Sequence, residues 1–368
     1  MADLKYRQGS YAEVQLFAAP VLTDLADQIS LEELATAYRW SGVAATALGD
    51  YDTALDQLQQ AEILCHQVQN KDRLSRVWES MAFIYFLQKK LELALTYTQK
   101  SLELSREFST VANVASSLSN IALVQLQLGR PIDALATLNE AITTVRSVSR
   151  NYLATFLANK AEILCYLGRF TEAQACFAEA NDLFSKMDDD GGVLELSLLQ
   201  AYEYHCALGE WQAATALLQR AQDLISQRLE SDPEARARLL IALSQVALAK
   251  EDFLRADQYC QEALALVEEK DIAWWRPAVY YLLGRAEWGL GHDAQAAKTL
   301  HLGVTAVAGD GCPDYLPLLY LALAEVEPDR KVEHLQNCVM TANQRARYVD
   351  RIYCLDVAGA ELLRSQPE

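Results

Sequence analysis

Residues 48–55 read Leu-Gly-Asp-Tyr-Asp-Thr-Ala-Leu, and this order of a glycine, an aromatic residue and a small residue returns along the whole chain. Clear copies begin at Leu167 and Leu208, and looser ones surround the equivalent positions elsewhere. The glycine position of the successive copies falls at 9, 49, 89, 129, 168, 209, 251 and 291, a spacing of 39 to 42 residues. Lysine occupies it at 89 and glutamate at 251. Self-similarity at such a period is typical of a solenoid rather than of a closed globule.

The repeated pattern predicts pairs of antiparallel helices. A glycine can end a helix because it adopts the left-handed conformation without a side-chain clash. The aromatic residue two positions later begins the next helix, and small residues then mark where two helix backbones approach closely. These small residues recur seven positions before the glycine, at Gly42, Ala82, Ala122, Ala161 and Gly284, and twelve after it, at Ala61, Ala141, Ala180, Ala221 and Ala263.

Counted from the start of each unit, the small residue stands at position 8, the glycine at 15, the aromatic at 17 and alanines at 20 and 27. This arrangement resembles the tetratricopeptide repeat, over nearly the whole chain. The usual period of that family is about 34 residues, so the unit here is longer and is similar to the repeats in sensor domains of MalT-type bacterial regulators and in the Pins and kinesin-light-chain groups. The resemblance implies an all-α fold, a right-handed α-solenoid of antiparallel helix pairs.

The chain is predicted to be one solenoid domain over residues 1–368. An N-terminal half repeat covers 9–28, about eight helical pairs cover 31–343, and a C-terminal capping helix covers 345–365. Because the half repeat lacks a first helix, either the array begins with an unusual cap or the chain continues into a longer protein, and we favour the second. Asp188 to Gly192 is predicted to be an acidic, flexible connector, since its consecutive aspartates lack the alternating pattern of a calcium loop.

Composition narrows the class of partner. The net charge is −18 and 51% of the residues are hydrophobic. An acidic surface repels a phosphate backbone, so no direct nucleic-acid partner is expected. No run of eighteen apolar residues exists and the N-terminus lacks the apolar core of a signal peptide, so no membrane partner is expected either. The eight cysteines stand alone, as small buried residues in a reducing compartment do, and we expect a cytoplasmic protein.

No catalytic, cofactor or metal site is predicted. The sequence contains neither a glycine-rich phosphate loop nor a Gly-x-Ser-x-Gly nucleophile turn. The five histidines are scattered, and the adjacent pairs Cys65-His66 and His205-Cys206 point to different sides of a helix. The pattern therefore indicates a protein that is not an enzyme and binds no cofactor.

The resemblance also implies a binding groove. In tetratricopeptide proteins the concave face is lined by fixed positions of the first helix of each pair. Carried over by register, these positions fall on Arg39, Val43, Glu79, Phe83, Phe86, Ser119, Leu123, Glu162, Tyr166, Leu199, Glu203, Gln245, Tyr281, Arg285 and Trp288. Large apolar groups among isolated charges are typical of a groove that accepts a helix or an extended peptide. The alternative is that the long first helices bury some of them against neighbours.

An aromatic cluster at residues 274–288 has two interpretations. Arg276 precedes Pro277, which should begin a helix, so Trp274 and Trp275 are predicted to lie in the preceding loop or cap. Exposed adjacent tryptophans often mark contact sites. The alternative, which we favour, is that they join the sixth repeat to the seventh.

The functional prediction is a non-catalytic protein- or peptide-binding scaffold, the sensor or interaction module of a bacterial signalling or transcription regulator. Two alternatives stay open: a stand-alone adaptor for complex assembly, and a receptor for a small molecule or peptide pheromone that uses the groove. The groove row lacks the positively charged carboxylate clamp of some chaperone-binding relatives, so a chaperone terminus is a poor candidate ligand. Self-association into a homo-oligomer also stays open.

Overall fold

A computed structural model describes residues 22, 28–47, 50–88, 90–108, 110–228, 233–308, 312–344 and 348–365. Helices joined by short turns make up these residues, and no strand occurs among them. The chain divides into two compact units, residues 1–156 and 157–368. That residues 1–368 form a single solenoid stays a prediction. The half repeat predicted at 9–28 lies almost wholly outside the described residues.

Unit 1 is built from antiparallel helix pairs. Its helices are α1 (Leu31–Ala47), α2 (Tyr51–Gln67), α3 (Lys71–Leu87), α4 (Leu91–Phe108), α5 (Val111–Gln127) and α6 (Pro131–Val145), followed by α7 (Arg150–Tyr166), in which the unit boundary falls. The first and second helices of each pair, α1 with α2, α3 with α4 and α5 with α6, pack along their lengths.

Unit 2 repeats the arrangement. It contains α8 (Phe170–Lys186), α9 (Asp190–Leu199), α10 (Trp211–Arg228), α11 (Pro233–Ala249), α12 (Phe253–Glu269), α13 (Arg276–Gly289), α14 (Asp293–Ala308), α15 (Leu316–Val326), α16 (Lys331–Gln344) and α17 (Tyr348–Ser365). A π-helical segment, Gln200–Cys206, continues α9, and short 3₁₀ turns precede α13, α15 and α16. Every second helix from α2 to α14 begins two residues after the repeat glycine position, as the pattern predicts.

Small residues set the closeness of the helix pairs, as the spacing predicts. A Cβ placed on Gly284 of α13 would lie 2.6 Å from Cγ of Leu300 on α14. A Cβ on Gly42 of α1 would lie 2.9 Å from Cγ of Leu58 on α2 and 3.0 Å from a backbone oxygen of that helix. The alanines twelve positions after the glycine are all fully buried: Ala61, Ala141, Ala180, Ala221 and Ala263.

The repeat glycine ends the first helix in the left-handed region. Gly129, Gly168, Gly209 and Gly291 have φ between 71° and 78°. Glu251 occupies the same place in its repeat and adopts φ 57°, so the backbone geometry persists where the glycine has been replaced. Because a side chain in this conformation is strained, glycine is the favoured residue there.

The acidic segment at 188–192 is not the flexible connector that the sequence suggests. Asp189 caps α9 by accepting a hydrogen bond from the backbone N–H of Gly192 at 2.9 Å, and the helix begins at Asp190. A Cβ on Gly192 would lie 2.2 Å from a ring carbon of Phe184. The prediction was wrong because an aspartate next to glycines is also a good N-cap, and Gly192 is needed for close packing.

The first helix of the fifth repeat contains a feature that the repeat pattern does not show. Residues 200–206 are π-helical, and the spacing of the glycine position from 168 to 209 is 41 residues, whereas most of the spacings are 40. A π-helical turn accommodates an additional residue within an α-helix. As a result, Ala201 is fully buried, whereas Tyr202, which stands at the usual small position, is only half-buried.

Candidate functional site

Three successive first helices in unit 1, together with Thr98 of α4, line a cavity of about 490 Å³, here named the α1–α3–α5 cavity. This volume lies in the range of pockets that hold ligands. Of the predicted groove residues, the cavity brings together Arg39, Val43, Glu79, Phe83, Phe86 and Leu123. Phe83 is 54% exposed although it is a large aromatic side chain. An exposed aromatic residue inside a cavity is typical of a contact site.

Two guanidinium groups and one carboxylate supply the charge of this cavity. Arg39 stacks over the ring of Trp40, with 4.4 Å between its guanidinium carbon and the ring centroid. Arg76 forms an exposed ion pair with Asp72 at 3.3 Å, one helical turn earlier. Burial raises the pKa of Glu79, while Arg39 and Arg76 oppose that increase. The side-chain amide of Asn120 donates a hydrogen bond to Glu79 at 3.4 Å.

Several lining residues were missed from the sequence. Trp40, Arg76, Asn113 and Asn120 also line the α1–α3–α5 cavity. Arg76 stands at position 2 of its repeat, a lining position in tetratricopeptide proteins, so the register could have found it. The two asparagines stand at positions outside that set. Ser119, which was expected to line the groove, is 3% exposed and lies in the helix packing instead.

In unit 2 the predicted residues Glu162 and Glu203 belong to an acidic cluster. Burial and, to a smaller extent, the nearby carboxylate of Glu203 raise the pKa of Glu162 to about 7, while Arg238 opposes the increase. Arg238 donates a hydrogen bond to Glu195. Glu203 and the predicted Gln245 line a smaller cavity of about 110 Å³. The predicted Tyr166 and Leu199 are half-buried and line neither of these two cavities.

The pKa of Glu162 makes the stability of unit 2 depend on pH. In the unfolded chain this carboxyl titrates near 4.5, and in the folded protein near 7. Between those values the folded protein holds a proton that the unfolded chain has released. Raising the pH from 4.5 to 7 therefore lowers the free energy of unfolding, by about 2.5 kcal/mol. Urea unfolding at a series of pH values should show this fall in the wild type and a flatter profile in Glu162→Gln.

Two further variants sharpen that measurement. Glu203→Gln removes the neighbouring carboxylate and should move the fall in stability to lower pH. Glu103→Gln makes the same charge change at an exposed position of α4 and should leave the profile as in the wild type. A Glu162→Gln profile that matches the wild type would show that another group is responsible.

The third predicted group lies on α13. Arg285 forms an ion pair with Glu325 of α15 at 3.2 Å and lies over the ring of Trp288, 5.4 Å from its centroid. Tyr281 packs near Tyr315 with 6.1 Å between ring centroids, and burial raises its pKa. These side chains therefore contact their own core and each other, and Trp288, at 36% exposure, is the most open of the three predicted residues.

Trp274 and Trp275 lie in a 3₁₀ turn before α13. Pro277 predicts this placement, because it should begin the helix and so leave both tryptophans in the preceding loop or cap. Both pack half-buried against the core of unit 2. The backbone oxygen of Trp274 accepts a hydrogen bond from Cys312 N–H at 3.0 Å, and Trp275 packs edge-on against Tyr202. Trp275 also donates to Glu234 at the start of α11 at 3.4 Å. These contacts support the role of joining neighbouring repeats.

All eight cysteines are buried and form no disulfide, in agreement with their expected role as small buried residues. No group of three or more His, Cys, Asp or Glu side chains among the described residues is arranged to hold a metal ion. Within the same residues, no helix combines the length and apolar character needed to cross a bilayer.

Comparison with known proteins supports the repeat pattern. The family model for the tetratricopeptide repeat matches residues 73–147. Anaphase-promoting complex subunit 5 of Rattus norvegicus is 28% identical over 166 residues, which are 42% of this chain. The chain covers 23% of that protein's length, so it spans about a quarter of the curated relatives that it matches.

Three solved structures share the fold. The apo form of the quorum sensor NprR from B. thuringiensis has a TM-score of 0.63 at 16% identity, covering 83% of this chain and 85% of NprR. A Rap protein complexed with Competence and Sporulation Factor has a TM-score of 0.56 at 15% identity, covering 88% and 81%. The Pyrococcus horikoshii STAND protein PH0952, which has a tetratricopeptide repeat sensor, has a TM-score of 0.56 at 13% identity, covering 92% and 54%.

At these identities the structural likeness concerns the fold alone, and it agrees with the helix pairs described above. Residues 73–147 therefore match the tetratricopeptide repeat, and the chain shares an all-α fold with solved tetratricopeptide-repeat structures.

Proposed function

We propose that this chain is a non-catalytic scaffold that binds a protein or peptide, and that the α1–α3–α5 cavity is its principal ligand site. The observation that carries the proposal is the exposure of Phe83 within a 490 Å³ cavity lined by other aromatic and aliphatic side chains. Covering such a side chain with a ligand is favourable by about 2 kcal/mol. Asn113 and Asn120 add amide groups that both donate and accept hydrogen bonds, as a peptide backbone requires.

Selection of random twelve-residue peptides by phage display tests this proposal. We expect peptides that bind the wild type with micromolar Kd and lose at least about tenfold in affinity for Phe83→Asn. Phe108→Asn is the matched control, because Phe108 is 51% exposed but lies outside the cavity, on α4. Equal affinity of the selected peptides for Phe83→Asn and the wild type would contradict the assignment of the site.

A second candidate function is a receptor for a peptide signal within a regulator. The likeness to a quorum sensor, to a Rap protein complexed with Competence and Sporulation Factor and to a STAND protein with a repeat sensor supports this candidate. A stand-alone adaptor, which the match to a subunit of the anaphase-promoting complex favours, is the alternative. A receptor should gain thermal stability with a short free peptide, whereas an adaptor should require a folded partner. We place either form in the cytoplasm.

A further inference from the structure

We infer that the α1–α3–α5 cavity selects an extended segment of another protein that carries an acidic side chain within two residues of a bulky apolar one. This inference rests on the proposed function and names the chemistry of the ligand. Its basis is the placement of Arg39 and Arg76 beside the aromatic lining of one cavity.

The charge of the lining sets the sign of the ligand. The ionisable residues that line the cavity are Arg39, Arg76 and Glu79. With Glu79 ionised the lining carries one net positive charge, although the whole chain carries −18. Asp72 pairs with Arg76 from outside the lining, and both side chains of that pair are well exposed, at 51% and 39%. An exposed pair one helical turn apart is weak, so an incoming carboxylate can compete with Asp72 for this guanidinium.

The apolar lining supplies the second requirement. Phe83, Phe86 and Trp40 stand in the same cavity as the two guanidinium groups. An arginine placed beside aromatic rings binds a carboxylate through paired N–H donors, and its own position is supported by stacking. A lysine or arginine on the ligand would instead meet like charge, and a purely apolar ligand would partly desolvate the two guanidinium groups and offer them no further hydrogen-bond acceptor.

The dimensions of the cavity indicate an extended segment. Three neighbouring first helices line it, and packed helices stand about 8–10 Å apart, so the cavity crosses about 20 Å. An extended chain rises about 3.3 Å per residue, which corresponds to about six residues across the three helices. Arg39 and Arg76 lie on α1 and α3, whereas Asn113 and Asn120 lie on α5. The acidic residue of the bound segment should therefore lie near α1 and α3, and the backbone of the segment should lie near α5.

The inner row of unit 2 provides a contrast within the same chain. There the predicted residues include Glu162 and Glu203, and Glu203 shares its cavity with Asp350. A carboxylate ligand would be repelled at the cavity that Glu203 and Asp350 share. The acidic specificity therefore belongs to the α1–α3–α5 cavity and is not a general property of the first helices.

A competition between defined peptides tests the inference. The library consists of nine-residue peptides, acetylated and amidated at their ends, with phenylalanine at the fifth position. The third and seventh positions hold Glu, Gln or Lys, and the rest hold Ala, Ser, Asn or Val. A second set has phenylalanine as the last residue, with a free C-terminal carboxylate, and Gln two residues before it. The peptides retained on the immobilised full chain are identified by mass spectrometry.

We expect Glu peptides to be enriched about tenfold over Gln peptides, the factor that one charge-assisted hydrogen-bonded pair supplies, and Lys peptides to be depleted. Arg39→Gln combined with Arg76→Gln should reduce the enrichment of Glu to none. Arg106→Gln is the control, because it removes one positive charge from the exposed surface of α4, where Arg106 pairs with Glu140 at 2.8 Å. This variant should still enrich the Glu peptides.

Three results would overturn the inference. Equal retention of Glu and Gln peptides, with both lost in Phe83→Asn, would reject the acidic specificity and leave the proposed function intact. Preferred retention of the free-carboxylate set would assign the cavity to a chain terminus instead of an acidic side chain. Retention of no peptide, or retention that Phe83→Asn does not change, would contradict both the inference and the proposed function.

Discussion

Replacement of Gly284 by leucine is expected to lower the free energy of unfolding by about 3 kcal/mol. Even a Cβ at this position would lie 2.6 Å from Cγ of Leu300, so α13 and α14 must separate or their side chains must adopt unfavourable rotamers. Urea unfolding followed by far-UV circular dichroism and tryptophan emission measures the loss. The expected result is a clearly lower midpoint, with the helices still formed in the absence of urea.

Gly359→Leu is the matched control for that variant. Gly359 also lies inside a helix, α17, but apart from its chain neighbours and the nearby backbone of its own helix no atom lies within 4 Å of its added Cβ. Because leucine has a better helix propensity than glycine, this variant should be unchanged or more stable by up to about 1 kcal/mol. Equal destabilisation by both substitutions would mean that the close crossing of helices is not the reason for glycine at 284.

Replacement of Phe177 by alanine is expected to cost about 4 kcal/mol. Phe177 is 1% exposed, and its ring packs edge-on against Tyr204, with 5.9 Å between centroids. Tyr204 belongs to the π-helical segment 200–206, so the cavity left by this substitution would remove the support of that segment. The free energy of unfolding, measured by urea titration, is the readout.

Phe108→Ala is the control for a phenylalanine that is not part of a core. Its side chain is 51% exposed on α4, so the change should cost less than about 1 kcal/mol. Hydrogen exchange adds a local test, since amides of the π-helical segment should lose protection in Phe177→Ala before those of α15 do. Similar losses of stability in the two alanine variants would contradict the packing described here.

The paired helices were predictable because their cause is local. Each repeat contains a glycine position at which the first helix ends, a residue that begins the second helix, and small residues at fixed distances from both. The starts of α2, α4 and α12, each two residues after the repeat glycine position, follow from this pattern. Pro131 and Pro233 begin α6 and α11 as their restricted backbone requires.

The features that were missed depend on competition between local and tertiary effects. The π-helical segment inserts one residue without disturbing the apolar pattern on either side, so periodicity does not reveal it. The acidic, glycine-containing composition around Asp189 is typical of a flexible loop, but Asp189 stands directly before α9 and caps that helix. The need for glycine at 192 comes from its close contact with Phe184 in the preceding helix, and the local sequence does not show that contact.

The candidate site was predictable in part. The register placed Arg39, Glu79, Phe83 and Phe86 on the first helices, and the structure brings these four into one cavity. The repeat register alone could not distinguish exposed side chains from those that pack against a neighbouring helix, as Ser119 and Tyr281 show. Asn113 and Asn120 line the cavity from positions outside the carried-over set, and only the mutual packing of three helices reveals them.

The dependence of the fold on close helix crossings is tested most directly by a double-mutant cycle of Gly284→Leu and Leu300→Ala. Leu300 is fully buried, so its truncation alone should also destabilise the protein. If the two residues share one crossing, the smaller side chain at 300 will make room for leucine at 284. The account then predicts a compensating interaction energy of about 2 kcal/mol. Additive losses, within about 0.5 kcal/mol, would contradict it.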